Sequence, residues 1–406
     1  MLINQAYRYE LKPNNKQKTL LAKHAGAARF AYNWGLARRK ELYEKTKGST
    51  TAVNQHRELN KLKKTEFPWM YEVSKCAPQE SLRDLHQAYQ NFFRELKKGK
   101  KTGFPKFKKK DMHDSFRLTG AIGAADNTVQ LPRLGKIRAK ERIDLKGRIL
   151  SATISKEADR WYVSFAVEGD RKIAVNNSGE AVGIDLGLEN FAVLSDGSQI
   201  PNPRFYKKSL RLLRRRGKQL TRKQKGSHNR KKAIIKLDRL HRRVRNKRFD
   251  FLHKASTELA KTKSMIVVES LNVKGMVKNR CLSGAISDVG WGIFKAMLKY
   301  KASWYGSKLI EAPDFFPSSR ICSNCGAHHA ALKLTDRVLE CPECGLRINR
   351  DLNAAVNLKN YTTASSAGSY ACRDTSGGGI PIKRESTSHV SLKQEADAKS
   401  SSGIFG

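Results

Sequence analysis

The stretch at residues 181–200, AVGIDLGLENFAVLSDGSQI, predicts two β-strands that form a hairpin with Glu189 and Asn190 at its turn. Val182, Ile184 and Leu186 alternate along the first strand and so share one face of it, which directs Asp185 to the opposite face. From this point the pattern changes to alternating strands and helices. The stretch therefore predicts the start of an α/β domain whose first strand carries a carboxylate.

Two further carboxylates stand at the ends of predicted elements. Glu269 closes the apolar strand at residues 265–268, and Asp351 opens a short helix at residues 350–361. Singly, each has an ordinary explanation, since Asp commonly caps helices and Glu is commonly exposed. Together with Asp185 they predict an RNase H-like site, in which the three acids hold two Mg²⁺ ions about 3.5–4 Å apart for phosphodiester hydrolysis. Asp185 is then expected to bridge both ions.

Four of the seven cysteines form two CxxC pairs separated by fifteen residues. These are Cys322, Cys325, Cys341 and Cys344. This spacing predicts a zinc ribbon, in which four thiolates enclose one structural Zn²⁺ and leave no open position for water. Gly326 and Gly345 permit a left-handed turn after each pair. The alternative of disulfides is disfavoured by the odd cysteine count, which is typical of a reduced compartment.

The chain is strongly basic: its 406 residues include 80 Lys and Arg against 37 Asp and Glu, a net charge of +43. Twenty basic residues and one acid, Asp238, lie in residues 207–248. An apolar stripe overlaps this segment and predicts a helix hairpin packed on one side; it consists of Leu237, Leu240, Val244, Phe251, Ala255 and Leu259. Residues 99–110, GKKTGFPKFKKK, predict a basic loop with Phe104 and Phe107 available for stacking. Both segments favour a nucleic-acid partner over a merely solvated surface.

Nine basic side chains in these segments are candidates for nucleic-acid contact. They are Lys106, Lys108, Lys109, Arg214, Arg215, Arg222, Arg230, Arg242 and Arg243.

The N-terminal half divides into a helical and a stranded part. Residues 14–98 have helical periodicity, whereas residues 114–168 alternate as short strands, with a hairpin turn at Ala158-Asp159 and a buried row at Trp161, Val163 and Phe165. These strands, with one more from residues 1–11, predict a small antiparallel barrel. A later helix at residues 287–306 is expected to be capped by Ser287 or Asp288. No apolar run approaches about 18 residues, so we expect a cytoplasmic, nucleoid-associated protein and no membrane partner.

The order of GIDLGLENFAVLSDG, IVVESLNVKGM, WYGSKLIEAPDFFPSSRICSNCG, CPECG and INRDLNAAVNL resembles the TnpB family, the nucleases encoded beside bacterial transposases. It is also similar to the compact type V CRISPR effectors. FAYNWGLARRKELY and GFPKFKKKD fit the same family, so the resemblance covers about residues 1–360. By position, Asp185, Glu269 and Asp351 match the catalytic acids of the family.

The resemblance implies an α/β multidomain architecture. A RuvC nuclease domain (179–310 and 346–361) would carry an inserted zinc-ribbon module for target nucleic acid (311–345). A wedge β-barrel (1–13 and 114–176) would be interrupted by a helical recognition domain (14–113). Beyond the reach of the resemblance, the composition of residues 362–406, rich in Ser, Thr, Gly and Ala, predicts a disordered tail.

The resemblance also implies an activity and partners. A monomer with one guide RNA from the transposon end would cleave guide-complementary double-stranded DNA beside a short motif. Three alternatives stay open: a non-cleaving RNA-guided DNA-binding repressor, a direct transposase that joins DNA ends, and a structural RNA-binding zinc protein. The intact acid triad weighs against the first, and under the third the carboxylates would be incidental. The interrupting zinc ribbon and the lack of an obvious helix-turn-helix weigh against the second.

Overall fold

The computed structural model describes residues 2–110, 112–171, 179–314, 316–330, 332 and 335–366, with side chains to residue 361. The last residues predicted for the barrel, 172–176, lie outside this set.

An antiparallel sheet joins the start of the chain to residues far along it. Its strands are β1 (Leu2–Leu11), β2 (Ser115–Leu118), β6 (Arg148–Glu157) and β7 (Arg160–Asp170), in the order β1-β7-β6-β2. Strand β1 pairs with β7 over ten residues, which confirms that the first eleven residues supply a strand to this sheet.

A second antiparallel sheet consists of β3 (Gly123–Ala125), β4 (Thr128–Leu131) and β5 (Gly135–Arg138). A bridge between Leu11 and Ala139 joins it to the end of β1, and the two sheets share one apolar core. Within the described residues these strands therefore form two sheets, which a β-bridge connects at the end of β1.

The predicted β6–β7 hairpin is confirmed. Ala158 and Asp159 make its turn, and Ala158 adopts a left-handed backbone conformation with φ of 55°. Trp161, Val163 and Phe165 point into the core, with at most 5% of each residue exposed. Alternation of apolar residues thus located this buried face correctly.

The helical prediction for residues 14–98 is also confirmed. The chain forms α1 (Asn15–Thr46), α2 (Ala52–Thr65), a short 3₁₀ helix (Pro68–Glu72) and α3 (Cys76–Lys97). Helix α1 begins at a capping box, in which the Asn14 side chain accepts from the Gln17 backbone and the Gln17 side chain accepts from the Asn14 backbone.

A five-stranded mixed sheet organises the second half of the chain. Its strands are β8 (Val182–Asp185), β9 (Asn190–Leu194), β10 (Gln199–Pro201), β11 (Met265–Val268) and β12 (Lys308–Glu311), in the order β10-β9-β8-β11-β12. Strands β8 to β10 are antiparallel, whereas β11 runs parallel to both of its neighbours. The predicted hairpin is present, but Asn190 begins the second strand and the turn lies just before it.

Helices complete this half of the chain, and most of them share the apolar core of the sheet. They are α4 (Phe205–Thr221), α5 (His228–Thr262), α6 (Val273–Met276), α7 (Ser283–Val289) and α8 (Trp291–Tyr305). The basic segment thus forms two consecutive helices, and Leu240, Val244, Ala255 and Leu259 of the predicted stripe are buried. The prediction that Ser287 or Asp288 caps α8 is wrong. Gly290, with φ of 77°, separates α7 from α8, and Asp288 instead caps α4.

The strands β13 (Val338–Glu340) and β14 (Arg347–Asn349) form a small hairpin that leads directly into α9 (Arg350–Ser366). Helix α9 continues five residues beyond the predicted end at Tyr361, because neither glycine nor proline interrupts the chain before Gly368. The rest of the predicted disordered tail, from residue 367, lies outside the described residues.

Candidate active site and metal centre

Helix α9 packs directly on strand β8. Gly183 makes this contact possible, because a Cβ atom there would lie 2.0 Å from the carbonyl oxygen of Ala355 and 2.4 Å from the backbone nitrogen of Lys359. Ala354, Ala355 and Leu358 are buried on the same face of α9. The close approach brings the start of α9, with Asp351, to the end of β8, which carries Asp185.

Asp185 lies among carboxylates. Burial, followed by the negative charges of Glu269 and Asp351, raises the pKa of Asp185 well above its usual range, and Arg350 opposes this effect. Burial raises the pKa of Glu269 to about 7, although its Oε1 accepts a hydrogen bond of 3.4 Å from the backbone nitrogen of Leu186. The structure therefore brings together all three acids that the sequence singled out.

The carboxylate of Asp351 is not used to cap α9. Asn349 does this instead, because its Oδ1 accepts from the backbone nitrogens of Asp351 (2.9 Å) and Leu352 (3.2 Å). The Asp351 carboxylate forms ion pairs with Arg350 at 3.2 Å and, more loosely, with Arg337 at 3.9 Å. The ordinary explanation of Asp351 as an N-cap is thus excluded.

The four cysteines converge on one point. Their sulfurs all lie within 4.8 Å of one another, and the Cys322–Cys344 and Cys325–Cys341 distances are 3.6 and 3.5 Å. A tetrahedron with bonds of about 2.3 Å has corners about 3.8 Å apart, so these thiols fit a structural Zn²⁺. Within the described part of the chain, no other group of three or more such ligands is drawn together in this way. The carboxylate oxygens of Asp185, Glu269 and Asp351 do not all lie within 4.8 Å of one another.

The two halves of this cysteine cluster have the same backbone geometry. Gly326 and Gly345 have φ of 79° and 72°, as their predicted left-handed turns require. Their backbone nitrogens donate to the carbonyls of Cys322 (2.9 Å) and Cys341 (2.8 Å), respectively. Each CxxC pair therefore forms a tight knuckle that directs two sulfurs to the same position.

Seven of the nine basic candidates belong to exposed residues: Lys106, Lys108, Lys109, Arg214, Arg215, Arg222 and Arg243. Three of the nine make protein contacts, Lys108 among them. Arg242 donates to the carbonyl of Glu157 at 2.9 Å, Arg230 donates to the carbonyls of Leu220 and Lys223 at 3.0 Å, and the Lys108 ammonium lies 4.2 Å from the centre of the Tyr32 ring.

A groove of about 1250 Å³ runs beside the basic helix α5. Five basic side chains from α5 line it: Arg230, Lys231, Arg242, Arg245 and Arg248. The tip of the β6–β7 hairpin forms part of the opposite wall, where Glu157 accepts hydrogen bonds from Arg245 and Arg8. Arginines of the basic helix thus both line the groove and hold the hairpin.

Sequence reasoning missed the residues that organise the neighbourhood of Asp351. Arg337, from the hairpin of the zinc module, pairs with Glu189 at 3.1 Å as well as with Asp351. Asn353 and Asn357, both buried, bond to the first cysteine knuckle. The sequence did contain a signal for Asn353 and Asn357. They are polar residues spaced four apart, so they share a helix face whose other members are apolar.

Within the described residues, the helices are too short or too polar for a transmembrane span.

Three family models match parts of the chain. "Probable transposase" matches residues 164–280, "Cas12f1-like, TNB domain" matches residues 291–358, and "Helix-turn-helix domain" matches residues 1–48. In the structure, residues 2–48 contain the strand β1 and the single continuous helix α1.

Similar proteins match nearly the whole chain. "Putative RNA-guided DNA endonuclease" of Streptomyces pristinaespiralis is 34% identical over 97% of this chain and 96% of its own length. "Putative RNA-guided DNA endonuclease InsQ" of Escherichia coli K12 is 32% identical over 95% of this chain and 98% of its own length. Among solved structures, a chain of "Cryo-EM structure of the Cas12f1-sgRNA-target DNA complex" aligns with a TM-score of 0.56 at 13% identity, over 89% of this chain and 99% of that chain.

The fold and the cysteine cluster define a class: a basic, mixed α/β protein with the overall fold of a compact Cas12f1-type effector and a four-cysteine zinc module. Within this class, the chain belongs to the TnpB family of IS605-type transposons. This confirms the resemblance inferred from the motifs.

Proposed function

We propose that this chain is an RNA-guided DNA endonuclease, which cleaves guide-complementary DNA beside a short motif. The observation that carries the proposal is the meeting of Asp185, Glu269 and Asp351 at the contact between β8 and α9. The relatives that match almost the whole chain bear the same activity in their names. The proposed catalytic residues are these three acids.

The acids fit a site for hard divalent cations. Carboxylate oxygens are the ligands that Mg²⁺ prefers, and like charges buried together require positive charge nearby. Arg350 and Arg337 pair with Asp351, yet burial still raises the pKa of Asp185 and Glu269. We propose that the three acids hold two Mg²⁺ ions, as phosphodiester hydrolysis at RNase H-like sites requires.

Mg²⁺, when bound, would activate the attacking water and stabilise the leaving oxygen of the cleaved phosphodiester. The protein's own contribution is to hold the ligands. Asp185 stands at the end of a rigid strand, the backbone nitrogen of Leu186 orients Glu269, and Asn349 caps α9 so that Asp351 keeps its carboxylate for the site. Arg337 places a positive charge at the rim, where a backbone phosphate would approach.

The strand order β10-β9-β8-β11-β12 supports a RuvC domain of the RNase H-like type. It combines an antiparallel hairpin unit with two parallel strands and places the first acid on the central strand β8. We assign residues 179–310 and 346–361 to this domain and 311–345 to the zinc-ribbon module. The antiparallel sheets at 1–13 and 114–176 would form the wedge barrel, and residues 14–113 the helical recognition domain.

The partners follow from charge and exposure. We propose that the guide RNA and the guide–target duplex bind through phosphates to the seven exposed basic residues and to the groove beside α5, while base pairing supplies sequence specificity. A single nuclease site would act on both DNA strands in turn.

The test is to co-express the chain with RNA from its native locus and to sequence the RNA that co-purifies. The complex is then incubated with a plasmid library that matches the RNA, with Mg²⁺ or with EDTA. We expect Mg²⁺-dependent cuts beside one short motif, which Asp185→Ala abolishes while RNA binding is retained. A discrete bound RNA without cleavage would favour the repressor, and rejoined DNA ends would favour the transposase.

A further inference from the structure

Two buried amides of α9 fasten the first cysteine knuckle to the helix. Asn353, which is fully buried, accepts from the backbone nitrogen of Ser323 at 2.9 Å and donates to the carbonyl of Ile321 at 2.7 Å. Ser323 and Ile321 are the two neighbours of Cys322. Asn357, 6% exposed, donates to the carbonyls of Ile321 at 2.6 Å and Ser318 at 2.7 Å.

The second knuckle is connected to the same helix through the chain itself. Cys341 and Cys344 flank the turn of the β13–β14 hairpin, and β14 ends at Asn349, next to the first residue of α9. The backbone nitrogen of Arg350 donates to the carbonyl of Arg337 at 2.9 Å, which fixes the hairpin on the helix start. A Zn²⁺ ion held by both knuckles would therefore close a ring of contacts that contains α9.

This ring lies close to the acid site. Asn353 is two residues beyond Asp351, and α9 is rigidly placed on β8 at Gly183. Buried amides whose partners are backbone groups hold one geometry, because any displacement leaves buried polar groups without hydrogen-bond partners. Movement of the knuckles must consequently be transmitted to the start of α9.

We propose that Asn353 and Asn357 are positioning residues, which couple Zn²⁺ binding at the four cysteines to divalent-cation binding at Asp185, Glu269 and Asp351. This inference rests on the proposed function, which assigns the cation site. Coupling between two binding sites is reciprocal, so occupation of the acid site also strengthens the hold on Zn²⁺.

The test measures the rate at which a chromogenic chelator that does not bind Mg²⁺ removes zinc from the full-length protein, with and without Mg²⁺. In the wild type we expect Mg²⁺ to slow the release about fivefold or more, the lower end of typical coupling between sites. In Asp351→Asn this effect of Mg²⁺ should vanish. In Asn353→Ala and Asn357→Ala, release without Mg²⁺ should be faster and the effect of Mg²⁺ should be lost.

A matched control is Asn54→Ala, at an exposed asparagine of α2, which should behave as the wild type. A second measurement titrates Mg²⁺ in the cleavage reaction. Asn353→Ala should raise the Mg²⁺ concentration for half-maximal rate at unchanged RNA affinity, whereas Asn54→Ala should not.

Wild-type zinc release that is indifferent to Mg²⁺ would overturn the coupling, and this measurement requires no asparagine variant to fold. Asparagine variants that keep the wild-type response to Mg²⁺ would overturn the role of these residues. Failure of the proposed function is distinguishable, because the wild type would then not cleave guide-matched DNA, or Asp351→Ala would cleave as fast as the wild type. If Asp351→Ala is inactive but Mg²⁺ leaves zinc release unchanged, only the coupling is wrong.

Discussion

Gly183 of β8 lies so close to Ala355 of α9 that a methyl group on Gly183 would come within 2.0 Å of the Ala355 carbonyl oxygen. The neighbouring atoms are backbone and cannot rotate away. This contact sets the distance between the strand that carries Asp185 and the helix that carries Asp351.

Gly183→Ala should therefore displace α9. We expect a loss of cleavage of tenfold or more and of about 1–3 kcal/mol in the free energy of unfolding, as for other overpacked cores. Cleavage rates and thermal unfolding check this. The control is Gly217→Ala in α4, where a Cβ meets open space and should be neutral or slightly stabilising. Equal effects of both substitutions would contradict the role of the contact.

Asp288→Ala should destabilise the protein by about 3–5 kcal/mol, the usual cost of breaking one side of a buried ion pair. Asp288 accepts from the backbone nitrogens of Tyr206 and Lys207 at the start of α4 and from Arg248 at 2.8 Å. Denaturant unfolding measures the loss.

The control for this prediction is Asp250→Ala. Asp250 pairs with Lys254 on the surface of α5, and such exposed pairs contribute only about 0.3–0.5 kcal/mol. A loss at Asp288 no larger than at Asp250 would show that the cap is dispensable.

Acid should weaken the helical region through His24. Its Nδ1 is 2.8 Å from the carbonyl of Leu20 and its Nε2 accepts from the Ser74 backbone at 3.0 Å, so the neutral ring satisfies both partners. Burial lowers its pKa below 6.5. Below pH 6.5 the unfolded state then binds more protons than the folded state, and stability falls as pH falls through this window.

Thermal unfolding between pH 7.5 and 5 checks this prediction. Replacing the ring by Gln should lower stability at pH 7.5 and reduce its further loss at pH 5. His228→Gln, at an exposed position, should keep the wild-type pH dependence. An unchanged pH profile in His24→Gln would assign the acid sensitivity to other groups.

Removing one zinc ligand should unfold the module. Cys341→Ser is expected to lower the zinc content and to make residues 321–345 susceptible to proteolysis, because metal binding contributes roughly 10–16 kcal/mol to the folding of such modules. Zinc quantification and limited proteolysis measure both effects. Cys281→Ser, at an exposed cysteine outside the cluster, is the control. Full zinc content in Cys341→Ser would refute the four-cysteine assignment.

Two arginines of the basic helices should respond differently to alanine substitution. Arg215 is exposed, so its loss should weaken RNA binding and reduce the slope of log affinity against log salt by about one. Arg242, whose side chain is 11% exposed, binds the Glu157 carbonyl, so its loss should mainly lower the unfolding temperature. Salt-dependent RNA binding and thermal unfolding distinguish the two, and identical behaviour would contradict the division into exposed and engaged residues.

Local sequence determined the features that depend on residues near one another. The alternation along β7 and the helical periodicity of residues 14–98 follow from the geometric repeats of strands and helices. The spacing of the cysteine pairs and the hairpin after Asp185 follow from the reach of a short loop. The order of the acids along the chain was also sufficient to select Asp185, Glu269 and Asp351. The structure brings the side chains of these three residues together.

Tertiary structure alone decided what each polar side chain binds. Asp288 was predicted to cap α8 but caps α4. Arg242 was predicted to contact nucleic acid but donates a hydrogen bond to the β6–β7 hairpin. Asn353 and Asn357 lie within the motif INRDLNAAVNL but had no predicted role, yet they fasten the zinc module to α9. A hydrogen bond or an ion pair acts within about 4 Å in space between groups that are distant in the chain, so only packing determines which partner is present.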